Sequence, residues 1–204
     1  MRFNRRRLSL LAILGLLCVA GWAATPPRGG ARGAAAVPDP VVGDTHAPVR
    51  VVIYQDLECP SCAQWHGAFE RQLIPEFSKQ VAFEFRDYPL PQHLWSFNAA
   101  VLARYFDTKS LALGMAWRDY CFTHQDDMTP DNLMDKAAQW AAPHGISRQE
   151  LSAVFSRTDL FGLVEADLKR GNEDHVQHTP TVLVNGVEAH SPQQLEQMLK
   201  QALH

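Results

Sequence analysis

Residues 49–65 read VRVVIYQDLECPSCAQW, and the fold of the chain can be inferred outwards from this segment. Residues 49–54 form a β-branched run with the nearly continuous hydrophobicity of a strand that is buried on both faces of a sheet. Cys59 and Cys62 follow directly, and then apolar residues recur with the 3.6-residue period of a helix. The stretch therefore predicts a central strand, a tight turn that carries two cysteines, and a helix that starts at the first of them.

The spacing of the two cysteines favours redox chemistry. Cys59 is predicted at the helix N-terminus, where free N–H groups and the helix dipole favour a thiolate over a thiol. Cys62 lies three residues later on the same helical face, close enough to form a disulfide with Cys59 or to resolve a mixed disulfide formed there. A disulfide across only Pro60 and Ser61 would add little entropic stabilisation. The pair itself is thus expected to be the reactive group, without a bound cofactor.

The N-terminal residues predict export. Arg2 and the arginines at 5–7 precede an apolar segment, residues 8–20, which ends near the small residues Gly21 and Ala23. These are the three regions of a secretory signal peptide, predicted here as residues 1–23. The alternative is an uncleaved anchor that tethers the protein to the inner membrane through residues 8–24. Either way, a periplasmic or otherwise exported location is expected.

Charge and cysteine number exclude two classes of protein. Without residues 1–23 the chain has 15 basic and 22 acidic residues, a net charge of −7, which argues against nucleic acid as a partner. The three cysteines left by that cleavage are too few for a disulfide-stapled scaffold of this length. The third, Cys121, is expected to be a buried and inert thiol.

The remaining segments predict an α/β domain interrupted by helices. Residues 24–42 are rich in Gly, Ala and Pro and predict a flexible linker. Residues 81–86 alternate as a second strand, which completes a right-handed βαβ unit. Pro75 is expected to bend or end the helix of that unit.

The later part of the chain carries clear local signals. Residues 95–172 show helical spacing, with one helix predicted to start at Thr129 and another at Ser147. The Asn185-Gly186 turn between two short apolar runs predicts a β-hairpin, and a closing helix is predicted after Ser191. The strand-rich parts, residues 43–94 and 173–204, are predicted to form one domain into which the helices are inserted.

This order of elements, together with three motifs, resembles the DsbA-type thioredoxin-fold thiol–disulfide oxidoreductases over about residues 43–204. The motifs are the CPSC sequence at 59–62, FRDYPL at 85–90, and TPT at 179–181 followed by VNG at 184–186. The resemblance implies a thioredoxin fold (βαβ…ββα) with an inserted all-helical domain. It also implies that Cys59 is the nucleophile, that Cys62 is the resolving thiol, and that a cis Thr179–Pro180 bond shapes the substrate site. The expected partners are cysteine-containing exported proteins and a membrane-bound redox partner that resets the pair.

The chain departs from that family in ways that affect its chemistry. Ile53 occupies the position where many members have a proton-shuttling acid, so Glu84 on the next strand is the candidate substitute. Pro60 and Ser61 replace a thiolate-stabilising histidine, and Glu58 adds a like charge. The pKa of Cys59 is therefore expected between the values of about 3.5 for DsbA and about 7 for thioredoxin. The disulfide should be a weaker oxidant than DsbA, with a potential more negative than about −120 mV.

A different class of function competes with this interpretation. Cys59, Cys62 and His66 recur at i, i+3 and i+7 and could present three soft ligands to copper or zinc. The protein would then be a module that binds or delivers a metal. Against this hypothesis, no fourth ligand is evident, and the ordinary expectation for His66 is a surface position. The direction of disulfide exchange is also left open by the sequence.

Overall fold

A computed structural model describes residues 37–204, and a five-stranded mixed sheet lies at its centre. The predicted signal peptide or anchor and most of the predicted linker lie outside the described residues. The strand order in the sheet is β1-β3-β2-β4-β5. The strands are β1 (Val41–Gly43), β2 (Val49–Gln55), β3 (Val81–Asp87), β4 (Thr181–Val184) and β5 (Val187–Glu188).

The predicted βαβ unit is present. Strands β2 and β3 pair in parallel, with Val49 opposite Val81 and Gln55 opposite Asp87. Between them run α1 (Pro60–Ala68), a π-helical turn and α2 (Ile74–Phe77). Because β2 lies between β3 and β4, its carboxyl end is at the middle of the sheet. The cysteines, which follow β2, therefore lie at the middle of the sheet, at the edge where β2 and β3 end.

Five α-helices form the insertion between β3 and β4. They are α3 (Ser96–Asp107), α4 (Leu111–Thr123), α5 (Leu133–Ala141), α6 (Arg148–Val154) and α7 (Thr158–Glu173). Ser147 caps α6 as predicted, since its side chain accepts from the Glu150 N–H. None of the helices within residues 37–204 is both long enough and apolar enough to span a membrane.

The hairpin and the closing helix also agree with the sequence. Asn185 and Gly186 both have positive φ, 48° and 87°, as a two-residue turn between β4 and β5 requires. Helix α8 (Pro192–Ala202) follows, and the Ser191 side chain accepts from the Gln194 N–H. The fold class, a thioredoxin fold with inserted helices, is thus confirmed.

Three boundaries differ from the predictions. The predicted linker, residues 24–42, overlaps β1, because Val41 and Val42 pair with the edge of β3. The helix that contains Pro75 continues to Phe77, since a π-helical turn over Phe69–Leu73 precedes the proline and changes the hydrogen-bond register.

The third difference is at the start of α5. The helix begins at Leu133, later than the predicted start at Thr129. Thr129 is nevertheless part of a cap, because its hydroxyl accepts from the Asn132 N–H at 3.2 Å and its own N–H donates to Asn132 Oδ1 at 2.8 Å. These bonds stabilise a turn ahead of the helix rather than its first helical residues.

A buried ion cluster joins the inserted helices to the sheet. Arg118 of α4 donates to Asp87 at the end of β3 (2.7 Å) and to Asp107 of α3 (3.0 Å). Arg104 of α3 pairs with Asp87 at 3.0 Å and also with Asp167 of α7. Both arginine side chains have 0% exposure. The cluster holds three helices against the carboxyl end of β3, next to the strand that carries the cysteines.

Candidate active site

The two thiols lie where the sheet passes into α1. Cys59 is the N-cap of α1, with extended backbone (φ −79°, ψ 120°), and Pro60 occupies the first turn. Proline suits this position because the first helical N–H groups have no partner within the helix. Cys59 and Cys62 are both free thiols with 7% and 2% exposure, whereas Pro60 and Ser61 between them are exposed. The pair thus lies just beneath the surface.

Cys59 is strongly acidic for a thiol. Its pKa falls from an ordinary value of 9.0 to about 5, first because the Cys62 thiol donates a hydrogen bond to it. Burial opposes this shift, while the Thr179 side chain and the N–H groups of Cys62 and Ser61 lower the pKa further. This value lies between the two limits expected from the sequence. At neutral pH Cys59 is therefore a thiolate.

Cys62 has the opposite character. Its pKa is raised well above 9.0 by burial first and then by its neighbour Cys59. The Asp56 N–H points at the Cys62 sulfur at 3.4 Å, which partly offsets the effect of burial. The two thiols are thus divided into an ionised sulfur near the surface and a protonated sulfur beneath it, which is the asymmetry that nucleophilic attack and later resolution require.

Thr179 and Pro180 lie against Cys59. The peptide bond between them is cis, as the family resemblance implied. The Cys59 thiol donates to the Thr179 carbonyl at 3.3 Å. The Thr179 hydroxyl is buried and has no hydrogen-bond partner in the part of the chain that the structure describes. Once Cys59 is ionised, this hydroxyl is available to donate to the thiolate.

Asp56 organises the turn that carries the cysteines, and its role was not predicted from the sequence. Its carboxylate accepts from the Glu58 N–H (2.8 Å), the Leu90 N–H (2.7 Å), His93 Nδ1 (2.6 Å) and the Ser96 hydroxyl (2.5 Å). The turn that carries the cysteines is thereby attached to the segment after β3. A signal was present, because an acid directly after a doubly buried strand cannot be left without partners.

Two further side chains attach the turn to the helices. Glu58 accepts from the Trp95 and Ser96 N–H groups at 2.8 and 3.1 Å, so it caps the start of α3. Glu58 is not among the largest causes of the shift in the pKa of Cys59, so the expectation that it raises this pKa stays a prediction. Gln125 donates to the Leu57 and Cys59 carbonyls at 2.8 and 3.0 Å. No sequence signal pointed to Gln125, since it follows Cys59 by 66 residues.

Glu84, the candidate proton shuttle, is not brought to the cysteines. It lies in the middle of β3 opposite Val52, and its carboxylate bonds Arg50 at 2.7 Å and Arg86 at 2.7 Å. The carboxylate is nearly buried and both of its oxygens have charged partners. This placement supports an ion-pairing role for Glu84.

His66 is also placed away from the thiols. It is buried, with Nε2 2.9 Å from Asp119 and its ring tilted against Phe122 at 4.8 Å, so the expected surface position is wrong. The helix turns this side chain towards α4, which packs on α1. Across residues 37–204, no three His, Cys, Asp or Glu side chains are grouped as metal ligands. The arrangement does not favour the metal-binding hypothesis.

Cys121 is in the core of the inserted helices. Its exposure is 0%, and burial raises its pKa well above 9.0. It sits inside α4, where the backbone N–H groups are already used by the helix. The structure thus places it as the sequence analysis expected, as a buried thiol.

Comparisons with solved structures agree with this fold. The alpha-DsbA1 structure from Wolbachia pipientis superposes with a TM-score of 0.67 over 80% of this chain and 89% of that chain, at 16% identity. The BdbD structure from Bacillus subtilis gives a TM-score of 0.66 over 80% and 91%, at 22% identity. These likenesses show the fold that the chain shares with them, a thioredoxin fold with inserted helices.

The family follows from the sequence match. A family model described as thioredoxin matches residues 35–202, and the chain belongs to this family. Among curated proteins, the chain is 31% identical over 161 residues to the Na(+)/H(+) antiporter NhaA 3 of Salinispora tropica. That match covers 78% of this chain and 23% of the antiporter, so the chain spans about a quarter of the length of the curated relatives it matches.

Proposed function

We propose that this protein is an exported thiol–disulfide oxidoreductase that donates disulfides to cysteines of other envelope proteins. The observation that carries the proposal is the pairing of an acidic Cys59, with a pKa of about 5, and a buried Cys62 whose pKa is raised. Stabilising the Cys59 thiolate stabilises the reduced protein, which makes the disulfide more oxidising. This favours the donor direction over the reductase direction.

The proposed reaction has two exchange steps. A substrate thiolate attacks the Cys59 sulfur of the Cys59–Cys62 disulfide, and Cys62 leaves and takes up a proton. A second substrate thiolate then attacks the substrate sulfur of the mixed disulfide, and Cys59 leaves as a thiolate. The substrate loses two electrons as its disulfide forms, and the protein gains them as a dithiol. The low pKa of Cys59 makes it a good leaving group in the second step.

The segment around Pro180 supports the binding of an extended substrate. The Thr179 carbonyl lies 3.3 Å from the Cys59 sulfur, so a peptide aligned with this segment would have its own sulfur close to Cys59. Backbone hydrogen bonds hold such a peptide whatever its side chains, which suits an enzyme that acts on many proteins.

A second surface supports the binding of a redox partner. A cavity of about 590 Å³, lined chiefly by apolar side chains such as Leu90, Phe97 and Leu168, lies beside the active-site turn. Leu94 stands next to it with 73% exposure. An exposed apolar side chain beside an apolar cavity is typical of a protein–protein contact. We assign this surface to the partner that reoxidises the pair.

The test combines three measurements on the protein without residues 1–23. The potential of the Cys59–Cys62 pair, measured against glutathione, should lie between about −270 and −120 mV, the thioredoxin and DsbA values. The oxidised protein should form disulfides in a reduced, unfolded substrate. Cys62→Ser, presented with a disulfide-containing substrate, should accumulate a mixed disulfide at Cys59 because no resolving thiol remains.

Cys121→Ser is the matched control, since it removes a thiol outside the site. It should exchange disulfides like the wild type, whereas Cys59→Ser should not exchange at all. A wild-type protein that oxidises no substrate, and a Cys62→Ser protein that traps none, would contradict the proposal.

A further inference from the structure

A second cavity lies on the other side of Cys59, against the hairpin of β4 and β5. It measures about 330 Å³. Ser61 and Pro180 form the wall next to the nucleophile, and Trp65 of α1 forms another. The rim on the side of the hairpin carries Glu188 of β5. A substrate peptide that lies along Pro180 would pass over this cavity.

Glu188 is held in place with one oxygen available. His178 Nε2 lies 3.3 Å and His190 Nδ1 lies 3.6 Å from Glu188 Oε1. Both imidazoles approach the same oxygen, and no hydrogen bond to Oε2 is found among residues 37–204. The Glu188 side chain is 31% exposed. The carboxylate can therefore accept a hydrogen bond from a bound molecule without breaking its own contacts.

The backbone that carries this rim is fixed. Glu188 is in register with Leu183 of β4, and the Ala189 N–H donates to the Val182 carbonyl at 2.8 Å. The His190 N–H donates to Gln194 Oε1 of α8 at 2.9 Å. A rim held by the sheet and by α8 requires little ordering when a ligand binds.

Glu188 also provides the negative charge on this side of the site. The acids of the active-site turn, Asp56 and Glu58, are turned inwards onto N–H groups and do not line the cavity. Glu188 is the one acidic side chain among the residues that line the cavity. A cation in this cavity would have both the Glu188 carboxylate and the Trp65 side chain among its lining groups.

We infer that this cavity is a specificity subsite that takes a lysine or arginine side chain next to the reacting cysteine of a substrate. A carboxylate and an indole ring together are the groups that hold such a side chain, through a charge-assisted hydrogen bond and a cation–π contact. The aliphatic part of the side chain would pack on Pro180 and Ala189. The inference deepens the proposed function and rests on it.

The test compares three reduced peptides that each carry two cysteines and differ only in the residues beside them, which are lysine, glutamine or glutamate. Their oxidation by the disulfide form of the protein is followed at about pH 8, where imidazole side chains are neutral. The lysine peptide should react about two- to fivefold faster in kcat/KM than the glutamine peptide, as one partly exposed ion pair allows, and the glutamate peptide should be slowest.

Variants separate the subsite from the overall charge of the protein. Glu188→Gln should remove the lysine preference, and Glu188→Asp should retain part of it. Glu165→Gln removes the same charge from an exposed position on α7, outside the cavity, and should leave the preference unchanged. The Cys59 titration should be the same in all three variants, which shows that the site itself is intact.

The outcomes distinguish the two claims. If all peptides are oxidised at equal rates, or if Glu165→Gln weakens the preference as much as Glu188→Gln does, the subsite is wrong and the proposed function stands. If the wild type oxidises none of the peptides, the proposed function fails and the subsite fails with it.

Discussion

Two regions of this protein hold a buried cysteine, and only one of them makes it reactive. Cys59 and Cys121 are 7% and 0% exposed, so both are removed from water. The pKa of Cys59 nevertheless falls to about 5, whereas that of Cys121 rises well above 9.0. Burial alone destabilises a thiolate. Cys59 overcomes it because a second thiol, the Thr179 side chain and N–H groups at a helix start all stabilise its thiolate and lower its pKa.

Two polar side chains, Arg118 and Thr179, show a related contrast. In the inserted helices, Arg118 donates to both oxygens of Asp87 and to both oxygens of Asp107, so each of its side-chain nitrogens is used. In the active site, the Thr179 hydroxyl is buried without a partner in the described chain. The first region uses polar groups to hold elements together, and the second keeps a donor available for a charge that appears during the reaction.

The largest expected difference between the two regions is in their reactivity with an alkylating reagent. In the folded, reduced protein, the rate at Cys59 should rise with pH to half its maximum at about 5. Cys121 should be protected at least about a thousandfold relative to the unfolded chain, because opening the core costs several kcal/mol. Iodoacetamide labelling followed by peptide mass spectrometry measures both. Comparable labelling of Cys59 and Cys121 in the native protein would contradict the expected difference in their reactivity.

Removing one member of the ion cluster should have the next largest effect. Arg118→Met leaves two buried carboxylates short of a partner and should lower the free energy of unfolding by about 3–5 kcal/mol. Urea denaturation measures the change. Arg148→Met is the control, because Arg148 pairs with Asp135 at an exposed site and should matter by less than about 1 kcal/mol. Equal losses in the two variants would show that the cluster does not stabilise the fold.

The acidity of Cys59 should also appear as a pH dependence of stability. In the unfolded chain its thiol titrates near 8.5, and in the folded reduced protein at about 5. Between these values the folded state binds fewer protons, so the free energy of unfolding rises with pH. The stabilisation is complete above about 8.5 and is lost as the pH falls through about 5.

The oxidised protein serves as the reference for this effect, because it has no thiol at position 59. Urea denaturation of both forms at several pH values should show the reduced form gaining stability relative to the oxidised form between about pH 5 and 8. A difference that stays constant or falls with pH over this range would mean that the Cys59 thiolate is not stabilised by the fold.

The smallest expected effect concerns the free donor in the active site. Thr179→Val removes one hydrogen bond to the thiolate and should raise the pKa of Cys59 by about one pH unit or less. Thiolate absorbance during a pH titration measures it. Thr181→Val makes the same chemical change at a hydroxyl that bonds the His178 carbonyl, and it should leave the titration unchanged. An unchanged titration in Thr179→Val would show that the Thr179 hydroxyl does not stabilise the Cys59 thiolate.

Local signals predicted most of the fold correctly. The apolar run of β2, the Asn185-Gly186 turn and the caps at Ser147 and Ser191 all depend on residues within a few positions of one another. Boundaries were less accurate where the decisive contact was distant. Strand β1 lies in the predicted linker because it pairs with β3, and no local signal indicates that pairing.

Only part of the candidate site was predicted, again because some of its contacts join distant segments of the chain. The place of Cys59 at a helix start follows from Pro60 and the preceding strand. The acids were assigned less well: Glu84 was expected near the thiols but pairs with arginines, and Asp56 was overlooked although it organises the turn. A sequence does not show which way a carboxylate side chain points, and its hydrogen-bond partners are determined only when the elements pack.

By itself, the sequence determined a strand, a turn and a helix that place two thiols at a helix N-terminus, because those features arise from hydrophobic period, turn chemistry and backbone N–H groups close by. The surroundings of the nucleophile, in contrast, depend on tertiary contacts. Thr179 reaches Cys59 across 120 residues of chain, and Glu188 reaches the same surface through the hairpin. Contacts between distant segments form only once the core has packed and set their distances, which no local signal encodes.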